Sequence, residues 1–228
     1  AVILMGVPFA FWRGGAFKAA LEFAKLCFLY LAVVLLVTDM RRARGLLWLA
    51  MAIWAWHGAS AWLGYHEGTS VYVGEADVLR AMGPTSRFGG ANTLAYLLVV
   101  ALSVIIVLFR AERLLVARAA MVVMGALCLG GALVTGSRSA LLGLLFVGAI
   151  AVWRSRRRLV MGLALAVVIT VGWLLTPSAL QTRYRTIGSY ASETTWLSRR
   201  QGWEVGARMF LERPIFGVGA GNFGAARH

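Results

Sequence analysis

Thr135-Gly136-Ser137-Arg138-Ser139 sets one arginine, with two serines and a glycine, between two uncharged apolar runs at 119–134 and 139–153. A guanidinium stays charged and offers paired planar donors, so Arg138 can hold a phosphate or diphosphate bidentately. Ser137, Ser139 and the free amides at the start of the next helix can add donors. A second group, Arg199 and Arg200, stands one turn before Trp203. At the mouth of a helical bundle one arginine of that pair can turn towards an anionic ligand while the other faces water or Glu204. Arg87, followed by Gly89-Gly90 and Asn92 at the head of another apolar run, makes a third anion-contacting corner, with Asn92 placed to cap the helix. The plainer alternatives are a headgroup anchor for Arg138, a cap alone for Asn92 and solvated surface charge for Arg199 and Arg200. Arg183 and Arg185 are two apart, share a face only in extended structure and are weaker candidates.

The composition supplies the frame for these residues. Of 228 residues, 60% are hydrophobic and 14% charged, whereas a soluble domain carries roughly 25% charged residues. The fold class expected is therefore all-α, a polytopic transmembrane helical bundle. Apolar runs fall at about 19–38, 45–64, 92–109, 114–134, 139–153 and 159–176, after a partial run at 1–12. The run at 159–176 is comfortable for one crossing at about 20 residues, and the two flanking Arg138 are a little short. The shortfall closes if 114–118 and the Thr-Gly-Ser-Arg turn lie at headgroup depth.

A net charge of +14 would suggest nucleic acid in a soluble protein, but in a membrane protein the arginines are first sorted by side. Arg41, Arg42 and Arg44, then Arg110, Arg113 and Arg118, then Arg154, Arg156, Arg157 and Arg158 all fall on one side when the six runs alternate. The opposite connectors carry Arg80, Arg87 and Arg138 against Glu67, Glu75 and Asp77. That bias makes the arginine-rich side cytoplasmic and puts the Arg138 turn and everything after Thr176 outside. Arg13 and Lys18 dissent mildly. The four-arginine cluster at 154–158 reads as an anchor, unlike the single Arg138.

Two domains are expected: 1–176 as the bundle, and 177–228 as the start of a large outer loop. Both ends read as parts of a longer protein, since 1–12 is too short to span and 217–228 stops within a loop. Within the bundle Glu22 and Lys25 are three apart and can meet on one helical face. In the connector 65–91, residues 71–73 and 78–82 are apolar enough to lie against the membrane surface. In the outer segment, 196–211 reads as an amphipathic helix: Trp196, Trp203, Ala207, Phe210 and Leu211 recur at helical spacing, Arg200, Glu204 and Arg208 form a ladder beside them, and Pro214 ends it. Cys27 and Cys128 lie in apolar runs as small hydrophobes, and the histidines lack zinc-site spacing, so neither a metal nor a cofactor is expected. The glycine-rich 217–224 lacks a nucleotide loop's lysine-serine ending and reads as a tight turn at the bilayer.

Three motifs in order carry a family likeness: Arg87-Phe88-Gly89-Gly90-Ala91-Asn92-Thr93-Leu94-Ala95, then Thr135-Gly136-Ser137-Arg138-Ser139-Ala140, then Arg199-x-x-x-Trp203 with Pro214-Ile215-Phe216-Gly217-Val218-Gly219-Ala220-Gly221-Asn222-Phe223. Across 87–228 the chain resembles the bacterial O-antigen ligase and polysaccharide polymerase superfamily. The resemblance implies a multi-pass protein of the bacterial inner membrane, with a membrane glycosyltransferase (GT-C-like) architecture and a large periplasmic loop. It implies transfer of a glycan from an undecaprenyl-diphosphate carrier to lipid A-core, a growing polysaccharide or a protein, with membrane lipids around it and no cofactor, metal or nucleic acid. Arg138 and one of Arg199 and Arg200 would hold the diphosphate, with Ser137, Ser139 and Arg87 as further contacts. The family's downstream histidine is not matched by His228, which follows Asn222-Phe223 too closely, so the catalytic base is expected further along the loop. The competing classes are a transporter that flips a lipid-linked glycan, which would place charge along an intramembrane path, and a noncatalytic scaffold.

Overall fold

The computed structural model describes residues 2–69, 71–73, 79–83, 90–185 and 194–227. Arg87, Glu75, Asp77 and His228 lie outside the described residues. In chain order the helices are α1 (Val2–Gly6), α2 (Arg13–Leu36), α3 (Met40–Glu67), α4 (Ala91–Ala111), α5 (Leu115–Val134), α6 (Arg138–Trp153), α7 (Arg158–Leu175), α8 (Ser178–Arg185) and α9 (Thr194–Glu212). A 3-10 turn spans Val7–Phe9, and β1 (Val71–Val73) pairs antiparallel with β2 (Leu79–Ala81) between α3 and α4. The chain is an all-α polytopic helical bundle carrying this one small hairpin among the described residues.

Five described helices, α2, α3, α4, α5 and α7, are long and apolar enough to cross a membrane. The sequence suggested six full spans, and α6 is the exception. α5 gains its length by starting at Leu115, but α6 has 16 residues because a polar turn precedes it and Arg154 follows it. At 1.5 Å per residue it is about 24 Å long, against about 30 Å of hydrocarbon. Arg154, Arg156, Arg157 and Arg158 beyond it are all exposed, as an anchor requires.

The chain forms two compact units, Ala1–Ala43 with Tyr190–His228, and Arg44–Ser189. In the second, Met51, Leu94, Leu98, Met121, Cys128 and Val134 are buried together. α3 and α5 meet backbone to backbone at a pair of glycines. A Cβ on Gly58 would lie 2.4 Å from the Leu127 carbonyl oxygen, and one on Gly131 would lie 2.5 Å from the Gly58 Cα. Bare backbones therefore touch there, the arrangement that small residues permit between helices in lipid.

The two ends of this unit differ in chemistry. At one, the buried Glu112 carboxylate pairs with Arg44, accepts from the Arg113 and Leu114 amides at 2.9 and 3.1 Å, and its carbonyl accepts from Arg118 Nε at 2.9 Å. Those amide bonds, with Arg44 behind them, hold its pKa below the ordinary carboxylate value. Arg110 Nη2 donates to the Ala151 carbonyl at 2.7 Å, so the α4–α5 connector and the end of α6 share this face. Four groups from the connectors expected on one side of the membrane thus meet at one end. The other end holds the β-hairpin and the α5–α6 turn.

In the first unit, Glu22 and Lys25 meet on α2 at 2.6 Å, as their spacing predicts. The segment 213–223 folds over the start of α2: Phe11 N donates to the Val218 carbonyl at 3.0 Å, and Asn222 Nδ2 to the Trp12 carbonyl at 3.0 Å. Gly217, Gly219 and Gly221 all have positive φ, which makes this stretch the tight turn its composition suggested.

Candidate functional site

The α5–α6 turn is built by its own side chains and then enclosed by others. Thr135 Oγ1 donates to the Ala132 carbonyl at 2.6 Å and accepts from Ser137 N at 3.3 Å. Gly136, at φ 61°, reverses the chain, and Ser137 caps α6 by accepting from Ala140 N at 3.4 Å. Ser137 Oγ also lies 3.2 Å from Ser139 Oγ. Thr135 and Ser137 are fully buried or nearly so, and Arg138 is only 8% exposed. Arg138 is therefore no snorkelling anchor.

Two further arginines converge on this turn. Arg80, on β2 and 4% exposed, donates from Nε to the Thr135 carbonyl at 2.8 Å and from Nη2 to Asn92 Oδ1 at 2.8 Å. Arg183, on α8, donates from Nε to the Gly136 carbonyl at 3.1 Å, and its own carbonyl accepts from Arg138 Nε at 3.1 Å. A Cβ at Gly136 would meet Leu180 Cδ2 at 2.8 Å and Arg80 Nε at 3.4 Å, so glycine is needed for space as well as for φ. Three guanidinium groups are gathered about one turn, each oriented by a backbone carbonyl.

Tyr184 closes the site from below, its hydroxyl donating to the Leu133 carbonyl at 2.8 Å. Burial pushes its pKa well above the ordinary 10.0, against the opposing pull of Arg80 and Arg183. Because the unfolded tyrosine ionises first, this group's contribution to stability is complete below about pH 10 and is lost as pH rises above it. Tyr184→Phe leaves the Leu133 carbonyl without this donor and is expected to cost about 1–2 kcal/mol. Denaturant melts of the purified protein at neutral pH check this, and an unchanged midpoint would show the bond carries no stability. An apolar cavity of about 180 Å³ among α4, α5, α6 and α7 reaches Thr176 and Tyr184 and so ends beside the arginine cluster.

Of the residues expected from sequence, Ser137 and Arg138 lie in this cluster, and Ser139 is at its exposed edge. Asn92 does not cap α4, whose cap position is Gly90 without a side-chain bond; it accepts from Arg80 instead, because β2 brings that guanidinium alongside. In the segment 79–81, Arg80 and Ala81 are buried in protein and Leu79 stays exposed. Arg87 is outside the described residues. Arg199 and Arg200 are exposed on α9, in the other unit, where Arg200 Nε donates to Glu204 at 2.8 Å. Arg80, Arg183 and Tyr184 were not singled out as leading candidates. The i,i+2 spacing makes Arg183 a weak candidate in sequence, but in α8 the pair divides: Arg183 reaches the turn while Arg185 sits 5.9 Å over the Trp173 ring.

Fold and site together define a multi-pass helical membrane protein with an arginine cluster at one end of its bundle. The family model for O-antigen ligase matches residues 124–228, the stretch from mid-α5 through the turn, α8 and α9. The match supports membership of the O-antigen ligase and polymerase superfamily, and with it glycan transfer in the general sense of that family. Comparison with curated proteins and with solved structures gave no match.

Proposed function

We propose that the protein transfers a glycan from an undecaprenyl-diphosphate carrier to a hydroxyl-bearing acceptor at the periplasmic face of the bacterial inner membrane. The observation that supports this most is the gathering of Arg80, Arg138 and Arg183 about the 135–138 turn, largely within the family-matched stretch. The acceptor oxygen attacks the anomeric carbon, the bond from that carbon to the diphosphate oxygen breaks, and the diphosphate leaves with the electron pair. A base beside the acceptor takes the hydroxyl proton. A diphosphate is already a good leaving group, so the protein's main task is to neutralise and orient it. Fixed guanidinium groups in a partly dry site do that without reorganising.

In this reading Arg138 bears on the diphosphate, with Arg80 and Arg183 holding its position and adding field. Ser137 and Ser139 supply hydroxyl donors, and Arg87 adds charge from the connector before α4. The carrier's isoprenoid chain follows the apolar cavity that ends at Tyr184. Acceptors to be compared are lipid A-core, a growing polysaccharide and a protein.

The test is full-length protein in nanodiscs with a lipid-diphosphate glycan and each acceptor class, read by product mass. Glycosylated acceptor together with free lipid diphosphate is expected. Carrier that crosses between leaflets of proteoliposomes with no product formed would overturn transfer in favour of transport.

A further inference from the structure

α9 has two apolar faces, and among the described residues only one packs on protein. Gly202, Val205, Gly206 and Met209 recur at three, four and seven residues and form the less exposed side, with Met209 7% exposed and Phe223 within 3.6 Å of where a Gly206 Cβ would be. The aromatic stripe read from the sequence points elsewhere: Trp203 is 66% exposed and Leu211 78%, with Phe210 similarly open. Trp196 packs on Trp203 edge to face at 5.8 Å, so the stripe is preformed. Arg199 and Arg200 stand between those tryptophans along the helix, within one turn of each.

Within the same unit, the end of α9 is fastened to the start of a membrane-crossing helix. Phe216 stacks on Phe9 at 4.4 Å, Arg213 Nη1 donates to the Phe9 carbonyl at 3.4 Å, and the segment after it bonds to Phe11 and Trp12, directly ahead of α2. That junction is the charged end of α2, which opens with Arg13 and Lys18, the end of a crossing helix that headgroups suit. Tryptophan and arginine on one face are the chemistry that suits this depth, rings at the headgroup boundary and guanidinium groups on lipid phosphates.

We propose that the Trp196–Trp203–Phe210–Leu211 face of α9 is a membrane-docking surface, lying in the headgroup–acyl boundary of the lipid bilayer with Arg199 and Arg200 against anionic phosphates. The inference rests on the protein's membrane class and does not depend on glycan transfer. Its occupant is bulk lipid, and the opposite face, through Val205 and Met209, stays on protein.

The experiment is site-directed spin labelling of the full chain in nanodiscs of phosphatidylethanolamine and phosphatidylglycerol, after Cys27→Ser, with Cys128 left because it is fully buried. Nitroxides go singly at Trp203, Phe210, Val205 and Gln201. Labels at 203 and 210 are expected to saturate with oxygen far more than with a water-soluble nickel chelate, at a depth of about 5–10 Å. The label at 201 should respond to nickel and that at 205 to neither. Nickel accessibility at 203 and 210 equal to that at 201 overturns the proposal, because the stripe then faces water. Protection of both from oxygen and nickel also overturns it, because another part of the chain or a second copy then covers the stripe. A label at Leu211 replaces the one at Trp203 if that variant does not fold.

Discussion

Arg138→Ala is expected to lower glycan transfer by at least about 100-fold while the protein still inserts and folds, since removing one donor that stabilises developing charge typically costs 100- to 1,000-fold. The structural loss is separate from this. Arg138 Nε donates to the Arg183 carbonyl, and a hydrogen bond from a charged donor contributes about 1.5–3 kcal/mol. Arg138→Lys separates the two roles: it retains charge and length but not the planar pair of donors. If Arg138 acts on the diphosphate, the lysine variant melts close to the parent and remains much slower. If the arginine merely braces the turn, rates across Ala, Lys and Gln variants will follow their melting temperatures. Near-parental turnover by folded Arg138→Ala would remove the residue from the chemistry.

The second large effect concerns stability. Gly58→Val and Gly131→Val are each expected to destabilise the bundle by about 3 kcal/mol or more, at the upper end of what overpacking costs, because the obstacle is backbone. A side chain on Gly58 meets the Leu127 carbonyl and the Cys128 Cα at 2.4 and 3.0 Å, and neither can rotate away. Gly45 provides the control on the same helix, since a Cβ there has nothing within 4 Å. Alanine at 45 should be neutral or slightly stabilising, as helix propensity predicts. Thermal melts of detergent-purified variants decide it, and equal melting for Gly58→Ala and Gly45→Ala would dismiss the backbone contact. The two valine substitutions act on one crossing, so their costs should not add.

Much of this architecture is legible from local sequence because its causes are local. Long apolar runs specify crossing helices, Pro214 follows the end of α9 at Glu212, and the glycine and serines at 136–139 specify a tight reversal with a capped helix after it. The helical spacing of Glu22 and Lys25 likewise predicts their contact. What is not legible is the company the turn keeps. Arg80 sits 55 positions before Thr135, and Arg183 reaches the same turn from 45 positions beyond Arg138. Only the pairing of β1 with β2 and the reversal after α7 bring them in, and neither has a strong periodic signal. α9 misleads for a different reason. Hydropathy singles out the tryptophan face, but among the described residues the less exposed face is that of Val205, Gly206 and Met209, which leaves the aromatics outside.

The brevity of α6 bears on where a reaction at its start would run. With its arginine-flanked end held at one headgroup layer, a helix of about 24 Å leaves its other end about 6 Å short of the far edge of a 30 Å core. Lipid must dimple towards the 135–138 turn, or protein must fill the gap. A lipid-borne leaving group could then reach the guanidinium groups by sinking slightly, without lifting its tail out of the bilayer. In such a recess bulk water would be scarce, and an anomeric carbon held there would face a seated acceptor rather than solvent, a geometry that favours transfer over hydrolysis.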